Sequence, residues 1–584
     1  DATINSVNIG KGANSVAGNT VLGENALDAA VTGSNNTAIG NNALTANTSG
    51  NSNVAVGMQA LKANTTGIGN NAFGVNALIF NTTGGSNCAF GNQSLLKNTT
   101  ADNNTAVGSS ALKENTTGTA NVAVGTFALD ANTTGESIVA IGKDALGANT
   151  TGVSNVAVGK GALASATVAN NNTAVGTHAL NASTTAVQNV AVGTFAADAI
   201  TTGNDNAVLG TYALGVCTTG GNNIAIGTSS LGANTTASNN TAVGYETLKA
   251  NTTGTKNTAI GANALDSNTT GGTNTAVGVD CLGLNTTGSG NVAVGERTLR
   301  DNSTGAQSTA VGQFALRANT TGFNNNAFGS SSLMNNTTGV TNCAFGTSAL
   351  QANTTANNNS AFGHAALLSN TTGTNNVAVG MQSQKFNTTG NFNVATGTNS
   401  LLFNTTGSQN TGLGHAALQE NTTAGSNTAV GYFALKENTT GIKNVAVGEL
   451  ALDHNTTGSS NTGIGSEALT ANTTGGQNTG LGRLSLYSNT TGGSNTGLGS
   501  QALKDNTNGS LNTAVGAESL ANNISGGANV SVGYQTMLAN TTGDNNTALG
   551  TKSLFSNTTA DNNVAVGRSA LEANTTGGDN VAVG

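Results

Sequence analysis

The chain is 584 residues long, with a net charge of −8, 8% charged and 3% aromatic residues, 82 Gly, no Pro and no Trp. Ordinary globular chains are roughly 25% charged, so a string of conventional domains is excluded, and no basic stripe is available for nucleic acid. Disorder is excluded too, because disordered chains pair high net charge with few β-branched residues, whereas Thr, Val and Ile recur throughout; nor is any window apolar for the 18 or more residues of a helical membrane span.

In chain order, residues 1–18 stand apart as an irregular N-terminal coil, cap or junction. From residue 19 onward one phrase repeats. Its Gly falls at Gly23, Gly40, Gly57, Gly74, Gly91 and Gly108, and then every 17 residues to Gly584, giving 34 occurrences with no insertion or deletion. A fixed short period is the signature of a solenoid, so residues 19–584 read as one continuous β-solenoid. The repeat stops in mid-unit at Gly584, and the expectation is that the natural molecule continues beyond it.

Numbered from its Asn, the unit reads N-T-A-V-G-x-x-A-L-x-x-N-T-T-G-x-x. Column 1 is Asn in 32 of 34 copies, as at Asn36 and Asn53, with Ile138 and Ser308 the exceptions. Column 3 is Ala or Gly in 31, and column 9 is Leu in 30 of 33, as at Leu44 and Leu61. Column 4 is aliphatic or Phe except at Thr396, and column 8 is always small. Columns 6, 7, 10, 16 and 17 drift freely and hold most of the charge.

The β-branched "TAV" run ends in Gly, and "NTTG" is turn chemistry, since Asn tolerates the left-handed region and Gly supplies positive φ. Two Gly columns in 17 residues leave no room for an ordinary helix. The fold class is therefore all-β: a parallel β-solenoid with two short strands per coil, at columns 1–4 and about 7–11. Identical residues then stack about 4.8 Å apart, the column-1 Asn forming a hydrogen-bonded ladder, and the 34 copies predict a rod roughly 160 Å long. Side chains alternate along a strand, which places columns 2 and 4 inside the coil and column 3 outside. An exposed column restricted to Ala and Gly needs a cover. A symmetric copy of the chain is the economical candidate; the alternative is that column 3 lies in a flattened interior of one chain.

Catalysis needs convergent titratable groups, and these are sparse. The four His are His178, His364, His415 and His454; His364 and His415 share column 6 but lie three coils apart, about 14 Å at solenoid spacing. No carboxylate pair recurs, and the G-x-G at Gly67 precedes no helix. The expectation is a chain that is not an enzyme and takes no cofactor or metal. Cys88 and Cys343 sit at column 2, Cys217 at column 12 and Cys281 at column 8, where small residues stand elsewhere, so they read as buried free thiols.

Column 12 is Asn in 28 of 33 copies, and all but Asn506 open an N-x-S/T sequon. One reading is a turn-forming Asn ladder. The functional reading is N-glycosylation, with Asn47, Asn64, Asn81, Asn98, Asn115, Asn132, Asn149, Asn234, Asn251, Asn268 and Asn438 as acceptors, though a sugar on every rung would be crowded. Four consecutive copies interrupt the column, at Ala166, Ser183, Ile200 and Cys217, and this stretch reads as an altered surface, a bend or attachment point. The Thr of columns 13 and 14 are adjacent, so they point opposite ways and give one rank of hydroxyls, not the flat double rank that ice binding asks for.

The piece "NSVNIGKGA", Asn5 to Ala13, and the recurring "NTAVGxxAL" resemble the repeats of trimeric autotransporter adhesin heads, and the longer form with "NTTG" resembles repeats of bacterial and phage tail-fibre-domain proteins. The resemblance covers essentially the whole chain, although the adhesin unit is nearer 14 residues. It implies a homotrimeric left-handed parallel β-roll, located outside the cell, at a cell surface or on a virion, acting as a structural shaft that presents a binding tip. The rival expectations are a repeat face that itself binds ice or glycans, and a filament subunit; the receptor is unknown.

Overall fold

A computed structural model describes residues 2–584. Two units are resolved, Asp1–Asn291 and Val292–Gly584, and each is an all-β parallel solenoid of 17-residue coils. The only helix among the described residues is a 3-10 turn, Ala13–Ser15.

The first unit opens with β1 (Ala2–Ile4) and β2 (Val7–Gly10), which pair antiparallel. β2 then pairs antiparallel with β3 (Thr20–Gly23), so "VNIG", despite its repeat-like spelling, is not a first parallel coil. From β3 to β4 (Thr37–Ile39) the pairing turns parallel, and it stays so to Thr275–Val277. Every rung is in register: Ala38 faces Ala55, Ala55 faces Ala72, and so on. The second unit repeats the pattern from Val292–Val294 to Val581–Val583.

Each coil contains one strand, at columns 2–4. The second strand expected near columns 7–11 is absent, because the backbone there alternates into the left-handed region: in one coil Gln59 has φ 60° and Leu61 φ 50°. Local turns close it (Ala60 N–H to Gly57 O, 3.3 Å; Asn64 N–H to Leu61 O, 3.1 Å), while other amides still reach neighbouring coils (Gln59 N–H to Asn41 O, 2.8 Å; Leu61 N–H to Ala77 O, 3.0 Å). A left-handed non-Gly residue costs about 1–2 kcal/mol. At column 9 the Leu side chain fills the core, and full burial of a Leu is worth about 1.5–3 kcal/mol, which offsets that cost.

The core is thin and lies between strand and turn segment. Ala55, Ala60 and Leu61 are all 0% exposed. This reverses the expected facing: column 3 points into its own coil, and columns 2 and 4 point outward. Column 3 is tiny because the opposite wall is close. A Cβ at Gly463 would sit 3.2 Å from Ala468 O and 3.4 Å from Leu452 Cγ, a tight fit for a methyl with no room for more. The Ala/Gly column therefore needs no second chain to cover it, and the flattened-interior alternative is the one the fold adopts.

Column 5 is Gly in every copy for two reasons. Its φ is positive, 140° at Gly57, and a Cβ there would lie 2.4 Å from Gly74 O on the next coil. Column 15 is Gly or Ala; beside four of its seven Ala copies, Ala101, Ala237, Ala356 and Ala424, the column-13 Thr N–H to Thr O bond is 3.2 Å against the usual 2.8–2.9 Å, whereas beside Ala560 it stays at 2.9 Å.

Candidate functional site

Both Asn columns are internal ladders. At column 1, Asn53 Oδ1 accepts the backbone N–H of Asn70 on the next coil (2.9 Å), and Asn53 Nδ2 donates to Gly67 O, tying the two ends of its own coil together (2.9 Å). Asn36 does the same for Asn53. At column 12, Asn64 Nδ2 donates to Asn47 Oδ1 (2.9 Å) and to Gly67 O (3.1 Å). The sequon residues Asn81, Asn98, Asn115, Asn132, Asn149, Asn251, Asn268 and Asn438 are 0% exposed, their amide nitrogens in the same pair of bonds where the preceding rung is Asn, as at Asn81 and Asn438. An N-linked sugar would replace one hydrogen of a nitrogen that uses both.

The interruption of column 12 is also internal. Ala166, Ser183, Ile200 and Cys217 are 0% exposed, and parallel in-register pairing runs through the stretch. The expected altered surface is thus an altered interior. It leaves Asn149 Oδ1 and Ser183 Oγ buried without partners, while Asn234 Nδ2 restarts the ladder against Cys217 Sγ at 3.5 Å.

The outward strand face is the surface that sequence reasoning assigned to the interior. Columns 2 and 4 form two ranks chiefly of Thr, Val, Ile, Leu and Phe, with Asn71, Asn326, Cys88, Cys343, Ser360 and Ala207 among them, half-exposed along their length. Ile260 is 41% and Leu413 47% exposed. Aromatic rungs stack on it, Phe73 on Phe90 at 4.5 Å in the first unit and Phe328–Phe345–Phe362 at 4.5 and 5.1 Å in the second. No copy places a charged residue at column 2 or 4; apart from Asp1 and Lys11, every charge falls in columns 6, 7, 10, 11, 16 or 17. The signal was present in the sequence as this absence of charge.

The other surfaces are polar. Column-13 Thr hydroxyls turn onto the backbone, as Thr65 Oγ1 donates to Thr82 O at 3.1 Å, leaving column 14 as the exposed hydroxyl rank of the NTTG turn. At column 10, Asp130, Asp198, Asp266 and Asp453 are held above the usual carboxylate range, chiefly by burial. None of the four Cys is in a disulfide: Cys217 and Cys281 are buried, with burial pushing the Cys281 thiol up to about 12, while Cys88 and Cys343 stand half-buried on the strand face. No helix among the described residues is long and apolar enough to cross a membrane.

No protein-family model matches the chain, and no curated protein matches it in sequence.

Proposed function

We propose that this chain is a structural shaft that self-associates through its charge-free strand face, three copies packing their sheets around a common axis. The observation that carries the reading is the outward pair of ranks at columns 2 and 4, apolar or hydroxylated in both units except at Asn71 and Asn326, and free of charge in all 34 copies. A solvated sheet face ordinarily carries charges, and a contiguous apolar surface of this extent marks an interaction site. A second copy is the partner that matches such a face rung for rung, since both sides share one spacing.

The mechanism is mechanical. Each added coil lengthens the shaft by about 4.8 Å and brings two Asn rungs with it. Proteolysis finds few openings where backbone amides at the strand, the turn segment and the NTTG corner of each coil are bonded to neighbouring coils. The resemblance to adhesin heads and tail fibres supports an extracellular place, at a cell surface or on a virion, holding a binding tip away from its base. Binding of ice by the repeat is disfavoured because the exposed column-14 hydroxyls have no second rank beside them, and the column-2 Thr are interrupted by Val. Native mass spectrometry tests the assembly: a mass near three times 56.9 kDa is expected, and a mass of one copy at micromolar concentration overturns it.

A further inference from the structure

One groove on the turn side of the first unit differs from the rest of the repeat. Three rings stack at column 7 of successive coils, His178 on Phe195 at 5.5 Å and Phe195 on Tyr212 at 5.3 Å with 4° between the planes. The stack ends at Tyr212, because column 7 of the next coil is Ser229. One face of the Tyr212 ring is covered by Phe195 and the other has no ring against it; the residue is 53% exposed.

Column 10 opens the space beside it. Gly215 and Gly232 are the only Gly on adjacent coils in that column, and neither has the positive φ that would require Gly. Their contribution is the missing side chains. The result is a groove of about 500 Å³, lined by Tyr212, Ser229 and Val216, with Asp198 and Lys249 also on its wall. That volume is within the range of small-molecule sites. Asp198 and Lys249 stand three coils apart, about 14 Å, and Lys249 is itself paired with Glu246 at 2.9 Å.

We propose that this groove binds a neutral oligosaccharide, one pyranose ring laid against the free face of Tyr212 and the adjoining sugar extending along the wall between Asp198 and Lys249. The electron-rich ring face attracts polarised C–H groups. A carboxylate at one end accepts hydroxyl hydrogens and an ammonium at the other donates to hydroxyl oxygens. This site is separate from the strand face and does not depend on how the chain assembles.

The test is saturation-transfer NMR on the full chain with cellobiose and lactose at millimolar concentration, and choline as the cationic competitor. Ser229→Phe covers the Tyr212 face, and Tyr212→Ser removes it; both keep the fold, because column 7 already holds Phe at Phe127 and Ser at Ser110. Transfer to the ring C–H protons of at least one disaccharide is expected, falling tenfold or more in each variant and unchanged in Gln59→Phe, the same change on a distant coil. No transfer to either disaccharide, equal transfer in the variants, or choline bound in preference to both sugars would overturn the proposal.

Discussion

On the strand side of the second unit, Val445 and Val447 stand in ranks of β-branched and aliphatic residues; on the turn side of neighbouring coils, Lys436, Glu437, Glu449, Asp453 and His454 crowd together. Both sides are partly exposed, so water alone does not explain the contrast. Strand propensity favours Thr and Val but does not forbid an occasional Lys or Glu, and exposed strands often use them to prevent edge and face association. The turn side varies as solvated surface does. The strand side is held to an uncharged chemistry, for which the proposed packing of strand faces would account.

The largest effect should come at the residue joining the two sides. Gly261→Ala places a Cβ at φ +130° and 2.5 Å from Gly278 O, and should cost about 4 kcal/mol, read as lost hydrogen-exchange protection in the flanking coils. Gly271→Ala, at the turn corner, should cost about 1 kcal/mol or less, since seven copies already carry Ala at that column. Next, Val377→Lys with Val379→Lys should weaken self-association at least 100-fold, about 3 kcal/mol, by sedimentation, with an unchanged circular dichroism spectrum. Gln382→Lys on the turn side of the same coil should leave association as it was.

Inside the coil the two Asn columns sharpen the comparison further. A column-1 Asn serves a backbone amide, so its loss orphans a buried donor. Asn257→Ala removes the acceptor 3.0 Å from Asn274 N–H and should cost about 2–3 kcal/mol. Asn257→Ser should recover part of it, as Ser308 Oγ does for Asn325 N–H at 3.2 Å. A column-12 Oδ1 serves only the next Asn, so a gap orphans one oxygen at its edge however many rungs are missing. That explains why four of the five column-12 losses form one block and the fifth, Ala30, sits at the end of the ladder, whereas the column-1 losses, Ile138 and Ser308, are single. Asn387→Ala and Asn404→Ala, one rung apart at 2.8 Å, should therefore be non-additive, the double variant costing about 1–2 kcal/mol less than the sum in chemical denaturation.

The period, the parallel register and the Asn ladders were legible in the sequence, because each depends on residue identity recurring at fixed spacing. Which side of the strand faces inward was not. Ala in column 3 fits a tight external contact and a thin interior equally well, and the choice is made by the turn segment, where Leu61 and its equivalents adopt positive φ. Nothing in a Leu announces that conformation, which is uncommon outside Gly, Asn and Asp; the same omission produced the expected second strand. The apolar character of columns 2 and 4 was visible from the start, but its meaning inverted once column 3 was inside.

The cysteines offer the most direct test of the covered face. Cys88 and Cys343 stand on it, and Cys217 and Cys281 lie within the coil. Burial raises all four thiols, so labelling should be slow at pH 8 and quicken as the pH rises and thiolate forms. The decisive measurement is the number of thiols that react with a bulky maleimide in the native protein at one fixed pH. The account predicts none in the assembled chain, two in the Val377→Lys/Val379→Lys variant once it dissociates, and four after unfolding. Rapid reaction of Cys88 and Cys343 in the native wild-type protein, at the variant's rate, would show the strand face open to solvent and contradict it.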